Sequence, residues 1–211
     1  MKRGTRRAGA RPAGGSSARA GGLGSVRIVG GRWRGRRLPV PAAEVRPSAD
    51  RVRETLFNWL APRLPGARCL DLFAGTGVLG FEALSRGARA VSFVERDPAV
   101  VAHLHEMRAR LEAEAAEILR YDALAWLAAT PPMPYDVVFV DPPFGTDLAP
   151  KVLAALSAGW LADGGVVYVE APVAPALPPG WERLREGRTR QVVYALVAPH
   201  SADTHRTSGE I

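Results

Sequence analysis

Residues 67–86, ARCLDLFAGTGVLGFEALSR, decide the fold of this chain. The apolar run Ala67–Phe73 predicts a buried strand, and Val78–Arg86 predicts a helix that Gly87 stops. The loop between them carries two glycines, which let the backbone turn tightly and let a ligand approach without meeting a Cβ. A strand, a glycine loop and a helix in this order predict an α/β unit whose helix N-terminus faces a bound ligand.

The same alternation continues through most of the chain. Strands are predicted at 89–95, 115–119, 135–140 and 166–170, and helices at 98–111, 123–129 and 148–158. Alternating strands and helices form a parallel sheet with helices on both faces. Two further strands, 181–186 and 191–197, are separated by only four residues and predict a hairpin at the sheet edge. The expected fold is therefore α/β, with a Rossmann-like, mostly parallel sheet that ends in an antiparallel hairpin.

The net charge of +7 comes from the N-terminal fifth of the chain. Residues 1–43 contain 11 of the 28 basic residues and no acid, whereas the remaining 17 basic residues are outnumbered by 21 acidic ones. Such asymmetry predicts a polyanionic partner that one arm of the protein contacts. Residues 1–24 are rich in Gly, Ala, Ser and Arg, so we expect a disordered basic tail that adds salt-sensitive attraction to RNA. Residues 200–211 are expected to fray.

Residues 25–45 predict a small basic hairpin and a linker. Val26–Val29 and residues 32–38 predict two strands joined by a turn at Gly30-Gly31, with an exposed tryptophan on the second strand. Arginines interleaved with an aromatic ring offer phosphate contacts and a stacking face together. A helix of about Ala49–Leu60, capped by Ser48, then opens the main domain at 46–199. The candidate RNA-binding residues in these two segments are Arg27, Arg32, Trp33, Arg34, Arg36, Arg37, Arg46, Arg51 and Arg53.

Composition also excludes several classes of protein. The single cysteine, Cys69, excludes an intrachain disulfide and favours a reducing compartment. The N-terminus has no apolar core of a signal peptide, and no segment is long and apolar enough to span a bilayer. The four histidines do not pair with the cysteine at the spacing of zinc ligands. We therefore expect a cytoplasmic protein without a metal site and without a membrane partner.

Acids lie at the ends of three successive predicted strands, at Asp71, Glu95 and Asp122. Because the carboxyl ends of parallel strands share one edge of a sheet, these carboxylates are expected to meet at one ligand site. The segment Gly75–Gly80 fits G-x-G-x-x-G, and Glu95 lies 20 residues after Gly75, which alone predicts a nicotinamide dinucleotide site. Any one of these acids could instead be a helix cap or an ordinary loop residue.

Asp71 argues against the dinucleotide. A carboxylate inside the glycine loop would repel a pyrophosphate, whereas it suits the ammonium group of S-adenosylmethionine, which has no phosphate. In that interpretation Glu95 accepts from the ribose hydroxyls and Asp122 accepts from the adenine amino group. A nicotinamide oxidoreductase stays open only if Asp71 points away from the ligand. The predicted residues of the cofactor site are Asp71, Phe73, Ala74, Gly75, Thr76, Gly77, Glu95 and Asp122.

A fourth predicted strand, 135–140, ends in the catalytic candidates Asp141, Pro142, Pro143 and Phe144. The Asp141 carboxylate and the Pro142 carbonyl can accept both hydrogens of a planar amino group, and the proline nitrogens add no competing donor. Accepting both hydrogens would aim the nitrogen lone pair at a methyl donor and stabilise the developing positive charge. Phe144 can stack on a base that has been flipped out of a helix. The alternative interpretation is a strand end followed by a rigid turn.

Four segments of the chain closely resemble the RsmD family of bacterial 16S ribosomal RNA guanine-N2 methyltransferases. They are RIVGGRWRGR at 27–36, RPSADRVRETLFNWL at 46–60, DLFAGTG at 71–77 and DPPF at 141–144. The resemblance covers residues 26–197, and its two N-terminal segments are the more specific. It implies a class I methyltransferase sheet of seven strands, S-adenosylmethionine as cofactor, and methylation of one guanine of 16S RNA on partly or fully assembled small-subunit particles. We also expect the protein to be a monomer.

Two further kinds of function stay open from the sequence. Asp-Pro-Pro-aromatic segments serve other planar nitrogens, so the chain could methylate DNA, an adenine or a protein amide. The chain could also be a ribosome assembly factor without catalytic activity. The arginines of 46–54 could contact RNA or brace the active site against Asp141, and residues 1–24 have no counterpart in the family pattern.

Overall fold

The computed structural model describes residues 24–39, 47–143 and 145–200. The predictions for the tail before Gly24, the linker from 40 to 45, Arg46, Phe144 and the C-terminal residues from 201 onward lie outside the described residues. The side chain of the predicted cap Ser48 is also outside them. No helix in the described part of the chain is long and apolar enough to cross a membrane.

The described elements alternate as the sequence predicts. The helices are α1 (Pro47–Leu60), α2 (Val78–Ser85), α3 (Pro98–Leu111), α4 (Ala123–Ala129) and α5 (Leu148–Leu156). The strands are β1 (Ser25–Arg27), β2 (Arg37–Pro39), β3 (Arg68–Asp71), β4 (Ala90–Glu95), β5 (Ala116–Arg120), β6 (Tyr135–Val140), β7 (Leu161–Ala171), β8 (Trp181–Arg188) and β9 (Val193–Pro199).

Seven strands form one sheet in the order β5-β4-β3-β6-β7-β9-β8. The pairs from β5 to β7 are parallel, and β9 runs antiparallel between β7 and β8. The mostly parallel sheet and its antiparallel edge hairpin are therefore confirmed. Strand β7 begins at Leu161 rather than at the predicted Val166, because Leu161 pairs with Tyr135 across a register shift.

The sheet is covered on both faces. One face packs against α1, α2, α3 and the β1–β2 hairpin, where Phe57, Phe81 and Leu104 are fully buried. The other face packs against α4 and α5, where Leu153 and Trp160 are buried. With both faces apolar, the exposed carboxyl edge of the parallel strands is where polar ligand-binding groups can collect.

The β1–β2 hairpin is docked on α2 by polar contacts. Glu82 is fully buried, and its Oε2 accepts a hydrogen bond of 2.7 Å from the Val29 amide. The Ser85 hydroxyl donates to the Gly30 carbonyl at 2.6 Å and accepts from the Trp33 amide at 2.9 Å. These side chains of α2 satisfy backbone groups at the hairpin tip that would otherwise need water.

The docked hairpin corrects two sequence predictions. The chain between the strands forms a 3₁₀ turn at Gly31–Trp33, so β2 is only three residues long rather than extending from residue 32. The prediction of an exposed tryptophan is wrong, because Trp33 is 6% exposed and packs in the core with Ile28 and Leu38. Docking against α2 turns the indole inward, so its ring offers no stacking face to RNA.

Candidate active site

A cavity of about 760 Å³ opens at the carboxyl ends of the parallel strands. It lies where the strand order reverses, between β3 and β6, which is where open α/β sheets bind ligands. Every predicted cofactor residue except Gly77 lines it, and so do Asp141, Pro142 and Pro143. We call the side formed by Asp71, Gly75, Glu95 and Asp122 the β3–β5 wall, and the side formed by Asp141, Tyr168 and Glu170 the β6–β7 wall.

Glu95 organises the glycine loop. Its Oε2 accepts from the Gly75 amide at 3.0 Å, and its Oε1 accepts from the amides of Arg96 and Asp97 at 2.8 and 2.9 Å. A carboxylate has about four acceptor positions, so these three bonds leave capacity for a ligand hydroxyl. Glu95 therefore fixes the backbone of the β3–β5 wall and still lines the cavity.

Asp122 caps helix α4 at the end of the same wall. Its Oδ1 accepts from the amides of Leu124 and Ala125, both at 3.1 Å. Asp122 is therefore a helix cap, as the alternative interpretation of this acid predicts. Asp122 also lines the cavity together with its neighbour Tyr121, so the cap and a ligand contact are compatible.

Asp71 is the most deeply buried carboxylate of the β3–β5 wall, at 1% exposure. Its Oδ2 accepts from the Gly80 amide at 3.2 Å, while its Oδ1 is buried without a hydrogen-bond partner among the described residues. Burial, reinforced by the negative charge of Glu95, raises the pKa of Asp71 from 3.8 to about 7. A buried carboxylate with an unsatisfied oxygen facing a cavity is suited to a cationic donor.

Both loop glycines have a positive φ, as a tight turn requires, but they differ in the space beside them. A Cβ on Gly77 would lie 2.6 Å from side-chain atoms of Leu104 and Phe81, so this glycine permits packing of the loop on α3 and α2 rather than approach of a ligand. A Cβ on Gly75 would meet nothing nearer than the Phe73 carbonyl at 3.8 Å. Only Gly75, with φ of 49°, leaves open space on the cavity side.

The β6–β7 wall begins at the Asp-Pro-Pro segment. Asp141 is half-buried, Pro142 is buried and Pro143 is exposed. The Thr146 hydroxyl donates to the Pro143 carbonyl at 2.6 Å and holds the segment as it leaves the sheet. Asp141 and Pro142 thus lie against the cavity, as expected for an amino-group clamp, while Phe144 is outside the described residues.

Two residues of this wall were not among the predicted site residues. The hydroxyl of Tyr168, on β7, donates to Glu170 Oε2 at 2.8 Å, and both residues line the cavity. Burial, reinforced by the charges of Glu170 and Asp141, raises the pKa of Tyr168 well above its ordinary value, so its hydroxyl stays a donor. The rule that found the other acids also applies to Glu170, since the predicted strand 166–170 ends on it.

Arg53 closes the cavity from helix α1 and is 4% exposed. Its Nη2 donates to the Arg27 carbonyl at 2.9 Å and pairs with the Asp50 carboxylate. Its Nε and Nη1 are buried without a hydrogen-bond partner among the described residues. The sequence contains a pattern that indicates this burial. Arg53 lies three and four residues before the apolar residues Leu56 and Phe57, and residues at this spacing share one face of a helix.

The other candidate RNA-binding arginines among the described residues lie on the surface. Arg27, Arg32, Arg34, Arg36 and Arg37 of the hairpin are exposed. Arg51 of α1 is exposed too, so α1 presents one arginine to solvent and one to the cavity. Among the described residues, no group of three or more acids, histidines or cysteines could hold a metal ion.

Comparisons with known proteins agree with this geometry. The family model described as "Conserved hypothetical protein 95" matches residues 26–198. The chain is 47% identical over 180 residues to "Ribosomal RNA small subunit methyltransferase D" of Escherichia coli strain K12, covering 83% of this chain and 90% of that protein. It is 44% identical to the protein of the same name from Haemophilus influenzae, covering 82% and 93%.

Solved structures of methyltransferases have a similar fold. The structure titled "Putative methyltransferase yhhF from Escherichia coli" has a TM-score of 0.78 and 47% identity, and the match covers 84% of this chain and 99% of that one. The region matched by the family model, residues 26–198, includes the glycine loop, the Asp-Pro-Pro segment and all but the first residue of the hairpin.

Proposed function

The chain belongs to the RsmD family, that of ribosomal RNA small subunit methyltransferase D, and we propose that it methylates the exocyclic N2 amine of one guanine in 16S ribosomal RNA. The cofactor is S-adenosylmethionine, which when bound supplies an electrophilic methyl group on a sulfonium centre. The observation that carries the proposal is the meeting of an acidic cofactor wall and an Asp-Pro-Pro clamp on a single cavity.

Two unsatisfied groups in the cavity fit the amino acid end of the cofactor. Asp71 Oδ1 is a buried acceptor without a hydrogen-bond partner among the described residues. Arg53 Nε and Nη1 are buried donors that also have no hydrogen-bond partner there. An α-ammonium and an α-carboxylate would satisfy them with matching charge. We therefore assign Asp71 to the ammonium and Arg53 to the carboxylate, which moves Arg53 from the RNA-binding set to the cofactor site.

The remainder of the β3–β5 wall fits the nucleoside. Glu95 retains acceptor capacity beside its three amide bonds, which supports its assignment to the ribose hydroxyls. Asp122 caps α4 through Oδ1, and we assign its other oxygen to the adenine amino group. Both roles use acceptors that the backbone has already oriented, so binding requires little rearrangement of these side chains.

The Asp141 side of the cavity carries the chemistry on the base. The Asp141 carboxylate and the Pro142 carbonyl accept the two N–H bonds of the guanine amine, which directs its lone pair toward the transferred methyl group. Asp141 also stabilises the positive charge that develops on nitrogen and is placed to accept the proton that the amine loses. A paired guanine cannot enter this cavity, so the target base must be unpaired or flipped.

The exposed arginines of the hairpin supply the contact with RNA. Arg32, Arg34 and Arg36 are held on a hairpin whose first strand reaches the cavity through Val26. Phosphate contacts on this hairpin would position RNA without reading its sequence. We further propose that the protein acts as a monomer in the cytoplasm, without a metal ion, on assembled or partly assembled small-subunit particles.

Methyl transfer from tritiated S-adenosylmethionine tests the proposal. The substrates are undermethylated small subunits, naked 16S RNA, DNA and bulk protein. We expect label in the RNA of small subunits, recovered after digestion as N2-methylguanosine. Label on another base, on DNA or on protein would overturn the guanine assignment, and absence of all transfer with intact cofactor binding would favour an assembly factor without activity.

The assignment of Arg53 has a separate test. Calorimetry with S-adenosylmethionine should show affinity lowered about ten-fold or more in Arg53→Gln, because a charge-assisted hydrogen bond to the carboxylate is lost. Arg51→Gln, two residues away on the exposed face of α1, is the matched control and should bind as the unchanged protein does. Equal affinity of the two variants for S-adenosylmethionine would show that Arg53 does not contribute to cofactor binding.

A further inference from the structure

Glu170 stands beside Asp141 at the end of the neighbouring strand. Strands β6 and β7 are parallel, and Val140 pairs with Val169, so the next residue on each strand is Asp141 and Glu170. Adjacent strands lie about 4.8 Å apart, and both residues line the cavity. The β6–β7 wall thus presents two carboxylates side by side, although the clamp needs only one of them to hold the amine.

The side chain of Glu170 is oriented by a buried partner. Tyr168 is 1% exposed, and its hydroxyl donates to Glu170 Oε2 at 2.8 Å. A carboxylate has about four acceptor positions, so the bond from Tyr168 fixes the orientation of the group and is compatible with acceptance of a further hydrogen bond. A carboxylate held in this way at a cavity wall is a preorganised hydrogen-bond acceptor.

The two acids match the donor pattern of guanine. Guanine carries two adjacent donors on its Watson–Crick edge, N1–H and the 2-amino group, whereas adenine carries an acceptor at N1. On the basis of the proposed function, we infer that Glu170 accepts the N1–H of the target base while Asp141 and Pro142 hold its amine. Glu170 would then be a specificity-determining residue, since a base with a lone pair at N1 would face a carboxylate and leave it unpaired.

The test uses 2-aminopurine, which has the reactive 2-amino group but an acceptor at N1. Small-subunit particles are reconstituted with RNA that carries either guanine or 2-aminopurine at the target position, and methyl transfer to each is measured as kcat/KM. The unchanged protein should prefer guanine by about ten-fold or more. In Glu170→Gln the amide N–H can donate to N1 of 2-aminopurine, so the preference should fall about ten-fold or reverse.

Two further variants distinguish recognition of the base by Glu170 from a general loss of activity. Tyr168→Phe removes the hydrogen bond that orients Glu170, so the preference for guanine over 2-aminopurine should decrease, but by less than in Glu170→Gln. This second variant keeps the inference testable if Glu170→Gln does not fold. Glu182→Gln, on the exposed surface of β8, is the matched control and should keep the full preference.

The outcomes are distinct. If Glu170→Gln and Tyr168→Phe slow transfer to both bases equally, the preference is unchanged and Glu170 has only a structural role. A protein that leaves guanine unmethylated in these particles overturns the proposed function itself, and this inference with it. A narrowed preference in both variants, with calorimetric binding of S-adenosylmethionine unchanged, supports recognition of N1–H by Glu170.

Discussion

The two walls of the cavity are built by different means. In the β3–β5 wall the acids are held by backbone amides: Glu95 accepts three such bonds, Asp122 two and Asp71 one from Gly80. In the β6–β7 wall the orienting contact of Glu170 comes from a side chain, that of Tyr168. The hairpin that adjoins the cavity is likewise fixed by the side chains of Glu82 and Ser85.

Under the proposed function, the β3–β5 wall binds the cofactor and the β6–β7 wall holds the target base. Asp122 caps its own helix and Asp71 binds Gly80 of its own strand-and-helix unit, whereas Glu95 joins two such units through the Gly75 amide, 20 residues away. The β6–β7 wall requires β6 and β7 to pair, and the adjoining hairpin requires contacts with α2 that span 52 and 53 residues. We therefore expect single substitutions to damage cofactor binding and RNA methylation separately.

The largest separation is expected at Asp141. Asp141→Ala removes the acceptor that orients the amine and stabilises its developing charge, so methyl transfer to small subunits should fall by about 10²- to 10³-fold. Calorimetry should show S-adenosylmethionine binding largely retained, because the contacts of the β3–β5 wall are untouched. Asp147→Ala, an exposed acid six residues later, is the matched control. Loss of cofactor binding in Asp141→Ala would mean that the β6–β7 wall also contributes to binding of S-adenosylmethionine.

The next effect is expected at Asp71. Asp71→Asn keeps an acceptor for the Gly80 amide but removes the negative charge that is assigned to the cofactor ammonium. We expect affinity for S-adenosylmethionine to fall about ten-fold or more, as for loss of a charge-assisted bond. Isothermal titration calorimetry measures this directly. Unchanged affinity would show that the buried carboxylate serves only the loop.

Asp71 also gives the protein a defined pH dependence. Its pKa is about 7 in the folded protein against 3.8 ordinarily, so between these values the folded state holds a proton that the unfolded chain has lost. Its contribution to stability therefore falls as pH rises from about 4 to 7 and is constant above that. An ammonium ligand favours the ionised form, so cofactor affinity should rise over the same range. Asp71→Asn should lack both trends, as urea unfolding and calorimetry at pH 5 and pH 8 would show.

The same contrast explains which parts of the molecule could be predicted from the sequence. The alternation of strands and helices, the antiparallel edge and the acids Asp71, Glu95 and Asp122 follow from local patterns that a reader of the sequence can recognise. Helix α3 is predicted at its observed bounds because Pro98 is typical of a first helical turn. In the structure Asp97 caps the same helix end, which is also a local contact.

What could not be predicted depends on contacts between distant segments. The buried position of Trp33 depends on Ser85, which lies 52 residues away and binds the Trp33 amide. The partnership of Arg53 with the Arg27 carbonyl likewise joins the hairpin to α1. A run of arginines around one tryptophan has the same composition whether the ring faces solvent or the core, so only the docking decides the outcome.

A smaller effect is expected where the hairpin is anchored. Glu82→Ala leaves the Val29 amide and the Arg86 guanidinium without their acceptor, which should lower the free energy of unfolding by about 2 kcal/mol. Affinity for RNA should fall as well, while binding of S-adenosylmethionine should be retained. Urea unfolding is the measurement, and Glu186→Ala, which breaks two surface ion pairs, with Arg183 and Arg188, is the control. Equal losses in the two variants would indicate that the hairpin is not held by Glu82.

The smallest effect is expected at a single exposed arginine of the hairpin. Arg34→Ala removes one proposed phosphate contact, so affinity for 16S RNA should fall a few-fold and the slope of log affinity against log salt concentration should decrease by about 1. The measurement is filter binding or fluorescence titration over a range of salt concentrations, with Arg185→Ala on the far edge strand β8 as control. The loss should be the same for unrelated RNA sequences, because a phosphate contact positions the chain without reading bases. If Arg34→Ala and Arg185→Ala behave alike, RNA does not lie along the hairpin, and recognition must rest on the β6–β7 wall alone.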